Sequence, residues 1–276
     1  MNPLLIVAGK EFRDGLRNRW VLSITLVFAL LAMGLAYFGA SASGMVGFTS
    51  LATTIVSLAS LAIFLIPLIA LLLAYDTIVG EEEQGTLLLL LTYPIGKVQL
   101  LAGKFVGHAA ILAVSTAVGF GVAGVLIGFM SDALGDAELW RAFAFFILTS
   151  ILLGWVFVAI AYIASVVASE KSRAAGVALL VWFWFVLVFD LLLLGALVAT
   201  KGSHGGDWLP YLLLLNPTDV FRLANLAGFE AARNYTGLAA VATGPLFQPG
   251  VLAAILAAWV AVPLGAALWL FQRRWV

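Results

Sequence analysis

The sequence contains no cysteine, only two histidines and four methionines. Disulfides, thiolate metal sites and cysteine nucleophiles are thereby excluded. A metal relay through this chain would find few soft or imidazole ligands. Charge is also scarce: 10% of the 276 residues are Asp, Glu, Lys or Arg, against about 25% in soluble domains. So few charges cannot coat a globular surface. The formal net charge is zero, which points to no nucleic acid or other polyanion as a partner. Apolar residues make up 64% of the chain, and it reads as an all-α integral membrane protein.

A bilayer core of about 30 Å is crossed by roughly 20 apolar residues in a helix. Six stretches meet that requirement: Val21–Phe38, Thr53–Tyr75, Phe105–Met130, Ala142–Ala168, Gly176–Ala199 and Val251–Phe271. Residues 1–276 then form a single transmembrane domain. Its parts are an N-terminal segment (1–20), a short charged segment (76–104) and a larger outer segment (200–250) broken by glycine and proline. The small-residue run at 40–52 separates the first two spans, and the polar loop at 131–141 follows the third.

Basic residues set the orientation. Lys10, Arg13, Arg17, Arg19, Lys97, Lys104, Lys171, Arg173, Arg273 and Arg274 fall on one side, against Arg141, Lys201, Arg222 and Arg233 on the other. The richer side belongs in the cytoplasm, so both termini are expected there, in a bacterial inner membrane. Residues 1–20 read as an amphipathic helix lying at the interface with Leu5, Ala8, Phe12 and Leu16 along one stripe. Ala40-Ser41-Ala42 resembles a cleavage site. The charged region before it is long and contains Glu11 and Asp14, and the apolar run is too long for a signal peptide. It is read as retained.

The densest charge in the chain abuts its longest leucine run, in EEEQGTLLLLLTYPIGKVQLLAGKF at 81–105. Carboxylates gain little near anionic headgroups, so Glu81–Glu83 are expected to serve something other than lipid. A short helix beginning near Glu81 would place them at its positive end. The leucines would dip into the interface, and Pro94 would end the element. The pattern fits a charged knuckle on an apolar wedge. It could carry force between the second and third spans, or simply cap a loop.

The run Glu81-Glu82-Glu83-Gln84-Gly85-Thr86-Leu87, with Pro94 and Gly103-Lys104 beyond it, resembles the E-x-E-x-G-T-L … P … G-K signature of ABC-2-type transporter membrane subunits. Three further features match: Lys10-Glu11-Phe12-Arg13-Asp14, the loop Ser169-Glu170-Lys171-Ser172-Arg173, and Asn216-Pro217-Thr218-Asp219-Val220-Phe221-Arg222. The resemblance implies that residues 81–87 form a coupling helix touching a separate ABC ATPase, with Glu170, Lys171 and Arg173 as a second cytoplasmic contact. It also implies a homodimer. In the branch most similar to this chain, which serves copper-site maturation of nitrous oxide reductase, it implies a periplasmic accessory protein met through Asn216, Pro217, Asp219 and Arg222. No phosphate loop is present: Gly96-Lys97 runs into Val98 and Gly103-Lys104 into Phe105. ATP and Mg would therefore sit on the partner, and this chain would be a non-catalytic subunit binding no cofactor itself.

Other residues invite separate readings. Asp190 lies inside the fifth span, where a carboxylate costs roughly 2.5–3.5 kcal/mol and must face protein or water. It reads as helix glue or as a proton site. His108 and His204 are lone imidazoles without metal partners, so no metal site is assigned. Gly124 and Gly128 make a G-x-x-x-G face, suited either to a subunit seam or to packing within one protomer. Pro67 and Pro263 fall within spans. Two rival functions remain: an ABC-2 exporter of lipid, drug or polysaccharide, and a proton-coupled carrier or intramembrane enzyme built on Asp190.

Overall fold

The computed structural model describes residues 2–17, 20–38, 51–130, 134–199, 209–227 and 244–274. The expectations placed on Arg19, residues 40–50, Lys201, His204 and Arg233 lie outside them. Every regular element among the described residues is helical. In chain order these are α1 (Pro3–Arg17), α2 (Trp20–Phe38), α3 (Leu51–Ala74), α4 (Val79–Glu83), α5 (Thr86–Thr92), α6 (Lys97–Met130) and α7 (Ala137–Val167). After them come α8 (Lys171–Phe183), a π-turn (Trp184–Val188), α9 (Phe189–Ala199), α10 (Leu209–Leu213), α11 (Pro217–Ala227), a 3-10 turn (Pro245–Phe247) and α12 (Pro249–Arg273).

Among the described residues, five stretches are long and apolar enough to cross a membrane: Thr54–Glu83, Lys97–Phe129, Ala137–Val167, Lys171–Ala196 and Pro249–Arg273. In α2 the apolar stretch is shorter, Ser23–Gly34. The helices overrun the apolar segments read from sequence because charge does not end a helix. Lys97 and Lys104 lie on α6, and Lys171 opens α8. At the start of α7, Asp136 accepts from the Glu138 amide at 2.8 Å, a side-chain cap for an orphan donor.

Helix α7 is the central rod, packed against α3, α6, α8, α11 and α12. Its Phe146, Phe157 and Tyr162 are fully buried. Indole N–H groups that are partly buried against apolar helices need acceptors. Trp155 donates to the Ala109 carbonyl at 2.9 Å, Trp182 to Phe64 at 2.9 Å and Trp259 to Leu214 at 3.1 Å, each tying one element to another. Gly124 and Gly128 face inward: a Cβ on Gly124 would meet Phe143 at 3.0 Å, and one on Gly128 would meet Leu134 and Leu139 at 3.2 Å. This G-x-x-x-G face packs within the protomer.

A different glycine pair shapes the α1 end. At Gly103 a Cβ would come within 2.8 Å of the Leu4 carbonyl oxygen, and at Gly107 within 2.5 Å of Glu11 Cβ. The bare face of α6 is therefore a groove in which α1 lies, burying Val7 and Ala8. Leu5 and Leu16, read on the same stripe as Ala8, are exposed. Gly107→Leu is expected to overpack this groove at a cost of about 1–3 kcal/mol. The check is thermal unfolding in detergent together with faster amide exchange in α1. A variant that kept both at parental values would contradict the close approach.

Candidate functional site

The segment 75–97 forms an elbow, and its geometry follows from the backbone. Helix α4 begins at Val79 with no cap of its own. Ser165 Oγ of α7 accepts from the Ile78 and Val79 amides at 2.9 and 3.2 Å instead, so a neighbouring helix satisfies the orphan donors. Gly85 then adopts φ 70°, a left-handed conformation that glycine enters without a Cβ penalty. The chain turns there from α4 into α5, with Thr86 Oγ1 donating to the Glu81 carbonyl at 3.1 Å. Tyr93 is extended before Pro94 and ends α5. Leu87 is buried, while Leu88, Leu89 and Tyr93 are exposed.

Each of the three glutamates is tied to a different element. Glu81 Oε1 lies 2.7 Å from Lys104 Nζ on α6, and Glu11 Oε1 on α1 lies 2.8 Å from the same nitrogen. The Lys104 side chain is only 4% exposed. Glu82 Oε2 pairs with Arg274 Nη2 at 2.6 Å, and Glu83 Oε1 accepts the Lys171 amide at 2.7 Å at the start of α8. Lys171 Nζ reaches to 3.8 Å from Asp76, crossing Gly80, where a Cβ would stand 2.8 Å from Lys171 Cε. The sequence reading had these acids facing water. Glu82 and Glu83 keep an exposed edge beside Gln84 and Gly85, yet all three carboxylates bind within the chain.

The Glu11 carboxyl sits below its usual range. Burial pushes it up, but Lys104, with help from His108 and Lys10, outweighs that. A crevice of about 410 Å³ borders this cluster, lined by Glu11, Asp14, Asp76 and His108 among others. His108 Nδ1 is hydrogen-bonded with the Tyr162 hydroxyl at 2.8 Å. In the 169–173 loop, Glu170 accepts from Ser172 Oγ at 3.3 Å and Arg173 donates to Ser169 Oγ at 3.1 Å. The elbow and this loop, distant in sequence, thus meet through Glu83 and Lys171.

A second polar cluster lies farther along the bundle. Asn216 caps α11 by accepting from the Thr218 amide at 3.0 Å, and Pro217 takes the first helical position, where no amide is missed. The π-turn between α8 and α9 offers the Phe185 carbonyl, which accepts from Asn216 Nδ2 at 2.9 Å and Thr218 Oγ1 at 3.1 Å. Arg222 Nη2 meets Asp190 Oδ2 at 2.7 Å, and its Nη1 stands 3.4 Å from Asp219 Oδ1 in an ionic contact. Asn216, Pro217 and Asp219 are buried inside the chain, so they position α11 and offer no surface. Asp190 has its partner in Arg222.

Sequence reasoning missed Glu11, Lys104, Ser165, Gly80 and Arg274 as members of the first cluster. One signal was available: a lysine inside a membrane-length helix requires a counter-charge, and Lys104 is such a lysine.

Among the described residues the chain is a helical bundle with membrane-length helices and a charged elbow between two of them, the layout of a multi-pass membrane protein. The family model for ABC-2 family transporter proteins matches residues 5–276, and the chain belongs to that family as a multi-pass, NosY-like permease of an ABC transporter. Two relatives are similar over nearly their whole length. One, "Probable ABC transporter permease protein NosY" from Stutzerimonas stutzeri, is 54% identical over 274 residues, covering 99% of each chain. The protein of the same description from Pseudomonas aeruginosa is 56% identical over 268 residues, 97% of each.

Proposed function

We propose that this permease couples ATP hydrolysis by a separate ATPase to rearrangement on the far side of the membrane, in the service of copper-site maturation of nitrous oxide reductase. In this reading α2 is the first of six spans, α1 is an interfacial helix with Leu5 and Leu16 toward lipid, and both termini are cytoplasmic in an inner membrane. The elbow is the coupling helix. A NosF-like ATPase holding ATP and Mg grips it, with Glu170, Lys171 and Arg173 beside it as a second contact. A second copy of the chain completes the permease. The Lys171–Ala196 helix supports that step, because little of it is buried and its apolar surface is left for lipid or a partner copy. A NosD-like periplasmic protein meets the outer segment, whose α11 is held in place by Asn216, Pro217, Asp219 and Arg222. The scarcity of Cys, Met and His favours work or a sulfur species, rather than copper, crossing at this subunit.

One observation carries the reading: the three consecutive carboxylates bind α6 with α1, the residue after α12, and α8. An elbow so tied moves as one body with the spans around it. Replacing Glu81, Glu82 and Glu83 together by Lys is expected to leave membrane insertion intact while abolishing ATPase co-purification and nucleotide-dependent activity. A triple variant that retained both would sink the coupling role.

A further inference from the structure

Arg274 follows α12 and sits where four elements meet. Its Nη1 donates to the Val166 carbonyl and its Nη2 to the Ala168 carbonyl at 3.2 Å, both at the end of α7. The same Nη2 stands 2.6 Å from Glu82 Oε2 on α4. Its own carbonyl accepts from Lys97 Nζ at 2.6 Å, at the start of α6. The last carbonyls of a helix lack intrahelical donors and carry partial negative charge. A planar guanidinium with a fixed fork of donors can satisfy two of them and a carboxylate together, which an ammonium on a flexible stem does poorly.

The geometry points to Arg274 as a positioning residue that carries displacement of the elbow into α7 and α12 together, and through them to α11. This inference rests on the coupling role proposed above. Helix α4 itself packs on α5 and α8 and is held to the side of α7 by Ser165, and among the described residues its tie to the end of α12 is the Glu82–Arg274 pair. Helix α11 in turn packs on both α7 and α12. Asn225 of α11 donates to Thr149 of α7 at 3.0 Å, and Trp259 of α12 donates to the Leu214 carbonyl before α11 at 3.1 Å. Thr149 and Ser165 are sixteen positions apart on α7, about 24 Å at ~1.5 Å per residue. The rod therefore joins two polar clusters that do not touch. Without Arg274 the elbow keeps Lys104, Lys171 and its Ser165 tie to the side of α7, so a motor can still grip it, but it loses its tie to α12 and to the end of α7.

The absence of cysteine permits single labels. Val98→Cys, where the elbow runs into α6, and Leu215→Cys beside α11 are both exposed positions outside the proposed ATPase contact. In the assembled complex with its ATPase, in nanodiscs, an environment-sensitive fluorophore at either position is expected to respond to ATP plus vanadate. Arg274→Gln should leave ATPase co-purification and the response at 98 intact and cut the response at 215 several-fold, with Arg274→Lys recovering part of it. Glu82→Gln, which leaves Arg274 on the α7 carbonyls, should reproduce the loss and guards against a folding defect in the first variant. Parental responses at 215 in both variants would overturn the inference. Absence of ATPase binding, or of any response in the unsubstituted chain, would refute the coupling reading and this inference with it.

Discussion

Lys104→Met is expected to destabilise the protein by about 3–5 kcal/mol, because it strips the shared cation from two carboxylates that are mostly buried. Lys104 Nζ stands 2.7 Å from Glu81 and 2.8 Å from Glu11. Glu81 Oε2 is itself buried without a hydrogen-bond donor among the described residues, so Lys104 is the group that holds that carboxylate. The loss depends on pH with a definite sign. The Glu11 carboxyl lies below its ordinary value of 4.5, since Lys104 overcomes the effect of burial. The stabilisation is present above that value and is lost as pH falls through the folded-state value. The gap between parent and variant should therefore be full at pH 7 and shrink on acidification. Thermal unfolding followed by tryptophan fluorescence reads it. Adding Glu11→Gln and Glu81→Gln to the Lys104→Met variant should restore part of the loss. Equal midpoints for parent and Lys104→Met would show that the triad contributes nothing.

Arg222→Leu is expected to cost a similar amount, about 3–5 kcal/mol by the same reasoning, and to loosen α11. Asp219 is 1% exposed. Burial pushes its carboxyl up to about 7, Arg222 pulls against that, and Asp190 adds to the rise. Arg222 in turn is raised by Asp219 and Asp190 in spite of its burial. For an acid shifted upward the sign reverses: its stabilising contribution is complete below the ordinary value of 3.8 and is lost as pH rises through about 7. The α11 cluster should hold tighter at pH 5 than at pH 8, whereas the elbow cluster behaves in the opposite way. Asp219→Asn is expected to flatten the alkaline loss and leave the acid loss in place. Amide exchange of α11 at the two pH values separates them, and an unchanged pH profile in Asp219→Asn would overturn the assignment.

The membrane class, the helical character of the apolar stretches and the family were all legible in the order of residues. Those features depend on local quantities: runs of apolar residues, the scarcity of charge, and the E-E-E-Q-G-T-L stretch with its turn glycine and Pro94. The turn at Gly85 is of the same local kind, because left-handed backbone has a local residue preference.

Which charge meets which was left to the packing. Glu81 finds Lys104 23 positions away, Glu11 finds it across 93, Glu83 reaches Lys171 across 88, and Asp190 reaches Arg222 across 32. Hydropathy reports the polarity of a segment, not the direction of a side chain. These spans are apolar around their whole circumference, so helical periodicity marks no inner face on them. Gly124 and Gly128 therefore read equally as seam or interior until Phe143 and Leu139 were found against them. For the same reason Gly103 and Gly107 carried no sign of the groove that seats α1. In an apolar solvent a charge is costly wherever it lies unpaired, so the need for partners was written in the sequence, and their identity was settled by the packing of α6, α7 and α12.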